Sequence, residues 1–321
     1  MTQVVTFGEL LLRLSPPGEE RLLVLPQFVT YFGGAEANVA VALSHFGVSC
    51  EYVTRLPDNP LGLAGLETLE REGVGTRWIT RGGDRLGLYF VEPGPDLRTM
   101  RVVYDRTASA FAQLDPGALD WSAILSGVTW FHSTGITPAL GDGPARALAQ
   151  ALLQARTSRQ RVSLDLNYRA ALWKDRDPRP IIEPLARSAD LVIGNAAAFQ
   201  AMLGIAAADG SLAQRIADEL GCRFVAVTQR DSIAARTQRW SAVLYDKAAS
   251  RCVTSRTHEV SVVDRVGGGD CFAAALIARL LGGTAPADAL EFAVAASALK
   301  VTLPGDFSRS SVADVLEWQQ R

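Results

Sequence analysis

The chain of 321 residues has no apolar run close to the roughly 20 residues that cross a bilayer, and no dense run of Lys and Arg. Its formal net charge is only −2, so nothing electrostatic favours nucleic acid or an anionic membrane as a partner. Residues 1–14 place Glu9 and Arg13 inside an apolar stretch, without the basic leader and cleavage site of a secretory signal. We therefore expect a cytoplasmic protein that binds a small molecule.

Cysteine and histidine are also scarce, with four and three residues. The cysteines are Cys50, Cys222, Cys252 and Cys271, and no two have the spacing of a zinc site. We predict buried, reduced thiols. Cys271 leaves one alternative open, because a thiolate would be favoured at the helix start predicted after Asp270.

The remaining pattern alternates short apolar runs with stretches of helical spacing, which predicts an α/β fold. The predicted strands cover residues 4–7, 52–55, 128–132, 162–166, 191–193 and 224–228. The predicted helices cover residues 35–46, 61–72, 144–156, 180–188, 212–220, 271–281 and 285–301. Such alternation favours a parallel sheet with helices on both faces and ligands at the carboxyl ends of the strands. Residues 13–32 and 82–107 break the pattern and predict a small β-sheet lid.

The strongest motif is the heptapeptide Asp-Arg-Val-Gly-Gly-Gly-Asp at residues 264–270, directly before an apolar helix. Glycines at a helix start leave backbone N–H groups bare where the helix dipole is positive, which predicts an anion site at Gly267, Gly268 and Gly269. Asp270 beside it is our candidate general base for phosphoryl transfer. Alternatively, the glycines form a tight turn and Asp270 is a helix N-cap.

A second motif lies at residues 33–43, Gly-Gly-Ala-Glu-Ala-Asn-Val-Ala-Val-Ala-Leu. Gly34 would permit close approach of a ligand to the backbone, and Asn38 offers both a donor and an acceptor. Taken alone, the small residues are equally consistent with helix packing. The P-loop, protein-kinase and dinucleotide-binding motifs are all missing from the sequence.

Together the two motifs resemble the paired patterns of the ribokinase family of carbohydrate kinases. The stretch from Val53 to Gly75 is also similar to that family, so the resemblance covers nearly the whole chain. It implies a single ribokinase-like catalytic domain over residues 1–321, a parallel-sheet sandwich with a lid, and ATP with Mg²⁺ as cofactors. Residues 133–140 and 164–173, together with the Asp-Arg-Val-Gly-Gly-Gly-Asp spelling, most resemble the 2-keto-3-deoxygluconate kinases within the family.

The resemblance also implies that the acid and hydroxyl groups of the substrate contact Gly34, Tyr89, Tyr104, Arg106 and Arg169. A keto-deoxy sugar acid carries a carboxylate, and guanidinium groups bind carboxylates with two parallel hydrogen bonds. The alternative for both arginines is an ordinary surface charge.

Asn195, Thr228 and Arg230 would lie near the ATP phosphates by the same resemblance, although each could simply end a strand. Members of the family commonly have a glutamate three residues after this asparagine, where the present chain has Ala198. The alanines at residues 196–198 are consistent with natural drift or with an engineered surface change. We expect Mg²⁺ to be held by phosphates and water.

The activity implied is ATP-dependent phosphorylation of 2-keto-3-deoxygluconate to 2-keto-3-deoxy-6-phosphogluconate, with Asp270 as the base. The alternatives are a kinase for a neutral sugar such as fructose or ribose, and a catalytically weakened sugar-acid binding protein. Lids of this kind often pair across a dimer, so we also expect a homo-oligomer.

Overall fold

The computed structural model describes residues 2–94, 100–174, 176–207, 210–234 and 236–320. Residues 95–99 of the predicted lid segment 82–107 lie outside these ranges. The strands are β1 (Val4–Phe7), β2 (Leu11–Ser15), β3 (Val29–Gly33), β4 (Cys50–Leu56), β5 (Ile79–Arg81), β6 (Gly87–Glu92), β7 (Arg101–Asp105), β8 (Trp130–Thr134), β9 (Arg161–Asp165), β10 (Leu191–Asn195), β11 (Phe224–Ser232), β12 (Thr237–Asp246), β13 (Arg251–Thr254) and β14 (His258–Ser261). The helices are α1 (Ala35–His45), α2 (Pro60–Arg71), α3 (Trp121–Ile124), α4 (Asp142–Thr157), α5 (Ala170–Trp173), α6 (Arg179–Arg187), α7 (Ala196–Leu203), α8 (Leu212–Leu220), α9 (Gly268–Leu281), α10 (Pro286–Lys300) and α11 (Val312–Gln319).

The large sheet has the strand order β13-β12-β11-β10-β9-β8-β1-β4-β5, and β14 pairs with β12. In this order, every pair of neighbouring strands between β11 and β5 is parallel. The predicted parallel sheet is therefore confirmed. Strands β12, β13 and β14 add an antiparallel end that the sequence analysis did not find.

Helices cover both faces of this sheet, as predicted. Leu43 of α1, Phe272 of α9 and Phe292 of α10 belong to the apolar cluster on one face. Leu148 of α4 and Phe199 of α7 belong to the cluster on the other. Burial of each such side chain contributes about 1.5–3 kcal/mol, so the two clusters hold the layers together.

Helix α9 begins three residues before the predicted start at Cys271. Gly267 is its N-cap, with φ of 81°, a left-handed conformation that glycine adopts without strain. The N–H of Cys271 donates to the carbonyl oxygen of Gly267 at 2.9 Å and closes the first turn. Gly268, Gly269 and Asp270 consequently form the first turn instead of preceding it.

A second sheet has the strand order β3-β2-β6-β7. The predicted segment 13–32 contributes most of β2 and β3, and the described part of segment 82–107 contributes β6 and β7. Leu11, Tyr89 and Val91 form a small apolar cluster on this sheet. Its action as a lid stays a prediction, as does the assignment of the whole chain to one catalytic domain.

The environments of the cysteines correct one expectation. Cys50, Cys222 and Cys271 are buried, but Cys252 is exposed because it lies on β13 at the edge of the sheet. Burial raises the pKa of Cys271 to about 11, so the thiolate alternative is wrong. No described helix has the length and apolar character to cross a membrane.

Candidate active site

A cavity of about 760 Å³ lies where the large sheet, the small sheet and the start of α9 meet. Its walls include residues that directly follow β9 and β10, as expected at the carboxyl ends of parallel strands. All predicted site residues except Gly268 line it, namely Gly34, Asn38, Tyr89, Tyr104, Arg106, Arg169, Asn195, Thr228, Arg230, Gly267, Gly269 and Asp270. Residues from distant parts of the chain therefore share one cavity.

Asp270 lies in the first turn of α9 and is only 8% exposed. Its carboxylate accepts hydrogen bonds from Nδ2 of Asn38 at 2.7 Å and from Nδ2 of Asn167 at 3.3 Å. Burial raises the pKa of Asp270, while the bond from Asn38 and the charge of Arg169 oppose the rise. Since Gly267 is the N-cap, the N-cap alternative for Asp270 is wrong.

The three glycines before Asp270 have different surroundings. A Cβ at Gly267 would lie 2.1 Å from the carbonyl oxygen of Asp306, and one at Gly268 would lie 2.8 Å from Cγ1 of Val301. At Gly269 no atom lies within 4 Å of the Cβ position. Gly268 is thus packed against the protein, which explains its absence from the cavity wall, whereas Gly269 is open to a ligand. The N–H groups of this first turn lack helical acceptors.

Tyr89 and Tyr104 of the small sheet, and Arg106 directly after it, also line the cavity. The rings of Tyr89 and Tyr104 stack with centroids 5.8 Å apart, and the guanidinium of Arg106 lies 5.5 Å from the Tyr104 centroid. Nε of Arg106 donates to Glu9 at 2.7 Å, and Ser109 donates to the same carboxylate. Arg106 is therefore buried and already paired with an acid, and is not a surface charge.

Arg169, Arg230 and Arg265 also line the cavity, and none of them forms an ion pair with any residue that the structure describes. The pKa of Arg230 is lowered, first by partial burial and then by the positive charges of Arg265 and Arg169. Three guanidinium groups without an ion-pair partner among the described residues make the part of the cavity around them attractive to anions. Arg169 is exposed, as it would be if it were an ordinary surface charge, but it also lines the cavity.

Asn195 is the last residue of β10 and pairs with Thr228 in the middle of β11, and both line the same cavity. The side chain of Asn195 caps α7 by accepting the N–H of Ala198 at 2.8 Å. Ala198 itself is 3% exposed, so it is not a surface position, although Ala196 and Ala197 are exposed.

Comparison with known proteins identifies the family. The family model described as "pfkB family carbohydrate kinase" matches residues 1–311. The chain belongs to the pfkB family of carbohydrate kinases. This pfkB-family kinase is 32% identical over 308 residues to a 2-dehydro-3-deoxygalactonokinase of Haloferax volcanii, covering 95% of this chain and 93% of that protein. It is 31% identical over 312 residues to a 2-dehydro-3-deoxygluconokinase of Thermoproteus tenax, covering 95% and 90%.

Solved structures give the same result. The crystal structure of a 2-dehydro-3-deoxygluconokinase from Thermotoga maritima aligns over all of both chains, with a TM-score of 0.96 and 39% identity. The prefixes 2-dehydro and 2-keto denote the same ketone. The resemblance on which the sequence analysis relied is confirmed at the level of family and fold.

Several further polar residues of the kinase line the cavity without having been predicted from the sequence, among them Asp165, Asn167 and Glu36. Asn167 donates to Asp270, and its φ of 39° turns the chain sharply after β9. Glu36 accepts hydrogen bonds from the N–H and hydroxyl of Thr134, which tie α1 to β8. All three lie inside stretches that the sequence already marked as motifs. The available signal was an acid or amide at the end of a strand, for Asp165 and Asn167, or at the start of a helix, for Glu36.

Asp165 gives a pH-dependent prediction. Burial first, and then the charge of Asp270, raise its pKa from 3.8 to about 7. A carboxyl group with a raised folded-state pKa contributes stability below its unfolded pKa and loses it as pH rises through the folded pKa. Asp165→Asn should therefore stabilise the kinase at pH 8 relative to wild type, by about 1.4 kcal/mol for each unit of pKa difference, with the gain vanishing towards pH 4.

Urea unfolding of both proteins between pH 4 and 8 measures this effect. Asp314→Asn is the control of opposite sign, because the Ser311 hydroxyl lowers the pKa of Asp314 and the charged form is the favoured one. A stability difference for Asp165→Asn that does not change with pH would contradict the prediction.

Proposed function

We propose that this kinase transfers the γ-phosphoryl group of ATP to the terminal hydroxyl of 2-keto-3-deoxygluconate, with Asp270 as general base. The observation that carries the proposal is that a buried carboxylate at the start of α9 shares one cavity with three unpaired guanidinium groups. The carboxylate can accept the proton that the hydroxyl must lose. The guanidinium groups can bind phosphates and the carboxylate of a sugar acid.

The environment of Asp270 supports its role as a base. A raised pKa increases the basicity of the carboxylate, and a base works best when its pKa approaches the operating pH. The side chains of Asn38 and Asn167 hold both carboxylate oxygens in place. The hydroxyl oxygen would attack the γ-phosphorus as its proton passes to Asp270, and ADP would leave as the bond from the γ-phosphorus to the β,γ-bridging oxygen breaks. The open N–H groups at Gly269 and its neighbours would hold the developing negative charge.

The orphan acceptor of Asn38 supports binding of a hydroxyl compound. Asn38 is 4% exposed and lines the cavity, and no described group donates to its Oδ1. A buried acceptor without a donor is costly, so a ligand hydroxyl that donates to it would be favoured.

Arg169 supports a carboxylated substrate. Arg106 and Arg169 were both predicted to bind the carboxylate of the substrate. Because Arg106 already forms an ion pair with Glu9, only Arg169 remains available for it. We assign the sugar carboxylate to Arg169 and the ATP phosphates to Arg230, with Arg265 beside it. The names of the relatives from T. tenax and T. maritima favour the gluconate substrate, and that of the H. volcanii relative favours its C4 epimer.

We assign Mg²⁺ to the phosphates of the nucleotide and to water, and not to ligands from protein side chains. The described residues contain no group of three His, Cys, Asp or Glu side chains that could hold an ion. The oxygen of Asn195 is already used in capping α7. Mg²⁺ commonly keeps water and phosphate ligands, and these residues fit such a site better than a protein-only site. When bound, it would neutralise phosphate charge.

A substrate panel tests the proposal. ADP formation should be measured with 2-keto-3-deoxygluconate, its C4 epimer 2-keto-3-deoxygalactonate, fructose and ribose. We expect kcat/KM for the sugar acids to exceed that for the neutral sugars by at least about 100-fold, because a neutral sugar leaves Arg169 unpaired.

Equal turnover of neutral sugars would show that the substrate assignment is wrong. Tight calorimetric binding of a sugar acid without ADP formation would instead support the weakened binding protein.

A further inference from the structure

Four charged side chains lie between the small sheet and the loop that leads into α9. They are Arg13, Asp264, Lys300 and Asp306, here called the charge cluster. Arg13, Lys300 and Asp306 are 4%, 0% and 2% exposed, and the side chain of Asp264 is 10% exposed. The two cations balance the two anions, which is the condition under which buried charges are tolerated.

Arg13 is the member that the small sheet contributes. It lies in the middle of β2, and its Nη1 donates to Oδ2 of Asp264 at 2.7 Å and to Oδ1 of Asp306 at 3.1 Å. Its Nε donates to Ser15 at 2.9 Å, which fixes the guanidinium plane. Arg13 does not line the cavity, so its influence on a ligand must pass through its partners.

Asp264 shapes the loop before α9. Its Oδ1 accepts the N–H of Val266 at 3.1 Å, and its Oδ2 accepts the N–H of Gly305 at 3.1 Å in addition to the guanidinium of Arg13. Arg13 therefore holds the carboxylate that folds the loop immediately before Gly267.

Asp306 holds the same loop from its other side. Its carbonyl oxygen would lie 2.1 Å from a Cβ at Gly267, and its carboxylate accepts the hydroxyl of Tyr89 as well as Nη1 of Arg13. Lys300 completes the contact, since its Nζ donates to the carbonyl oxygen of Gly305 at 2.6 Å. The N-cap of α9 is thus packed directly against a residue that two strands of the small sheet bind.

We propose that Arg13 is a positioning residue for phosphoryl transfer, which acts through Asp264 and Asp306 to hold Gly267 and the first turn of α9 in the geometry that binds phosphate. The proposal rests on the proposed function only in taking the first turn of α9 as the phosphate site. Loss of the guanidinium would leave two carboxylates facing one ammonium, an excess negative charge beside the nucleotide phosphates.

Three variants test it. Arg13→Gln removes the charge, Arg13→Lys keeps it, and the control Arg81→Gln removes an arginine that pairs with Asp58 at 3.3 Å outside the cavity. The affinity for β,γ-imido-ATP with Mg²⁺ should be measured by calorimetry in the absence of sugar, followed by kcat and both KM values, with each folded fraction established by thermal unfolding.

Arg13→Gln should weaken binding of the analogue and raise KM for ATP by at least about tenfold, while KM for the sugar stays within about threefold. Arg13→Lys should restore both to within about threefold of wild type, and Arg81→Gln should leave them unchanged. Should Arg13→Gln not fold, Arg13→Lys combined with Lys300→Gln replaces it with the same expectation, because it also leaves two carboxylates facing one ammonium while a glutamine at position 300 can still donate to the carbonyl oxygen of Gly305.

The proposal would be overturned if folded Arg13→Gln had the same analogue affinity, kcat and KM values as wild type and only a lower melting temperature. Arg13 would then have a structural role alone. Because analogue binding requires no sugar, a wild-type enzyme inactive on 2-keto-3-deoxygluconate would contradict the proposed substrate without affecting this comparison.

Discussion

Asp270→Asn is expected to lower kcat by at least about 100-fold while leaving the affinity for sugar and nucleotide within a few fold. The amide is nearly isosteric with the carboxylate but cannot accept the proton of the attacking hydroxyl. The fold should tolerate the change, because the new amide oxygen can still accept from Nδ2 of Asn38, and rotation of the Asn167 amide lets its oxygen accept from the new N–H₂ group. Steady-state kinetics and calorimetric binding of both ligands check the two halves of this expectation.

Asp288→Asn is the matched control, since Asp288 is also the third residue of its helix, α10, but does not line the cavity. Its kinetics should equal those of wild type. Near-native kcat for Asp270→Asn would end the assignment of the base, and an equal loss in both variants would point to a general effect of a first-turn acid on helix stability.

Arg169→Ala should reduce kcat/KM for 2-keto-3-deoxygluconate by at least about 100-fold and that for a neutral sugar by less than about threefold. A hydrogen bond to a charged group contributes about 1.5–3 kcal/mol, and a guanidinium can form two with one carboxylate. The positive charge of Arg169 also lowers the pKa of Asp270, so its removal raises that pKa and impairs the base at low pH. Kinetics near pH 8 separate the binding effect from this titration.

Arg146→Ala provides the control, because Arg146 is an exposed arginine of α4 outside the cavity wall. It should affect neither substrate. Equal losses for acid and neutral sugars in Arg169→Ala would contradict a carboxylate contact, and would place the guanidinium at the nucleotide instead.

Much of the fold could be predicted because its signals are local. The runs at β1 and β10 are short and mostly apolar, and those of α4 and α8 repeat with helical spacing, so a stretch of a few residues decides each element. The antiparallel strands β12 to β14 escaped prediction because polar residues interrupt their apolar pattern, and in the short strands β13 and β14 most of these residues are exposed.

By itself the sequence determined the family, the alternating sheet and helices, and the position of Asp270 directly after three glycines, since each depends on short motifs along the chain. Only the tertiary structure decided which charges are free. Arg106 is neutralised by Glu9, which lies 97 residues away, and Arg13 is held by acids 251 and 293 residues away, whereas Arg169 faces the cavity without an acid partner among the described residues. The strength of a charge interaction depends on distance in space and on burial, and neither can be calculated from spacing along the chain.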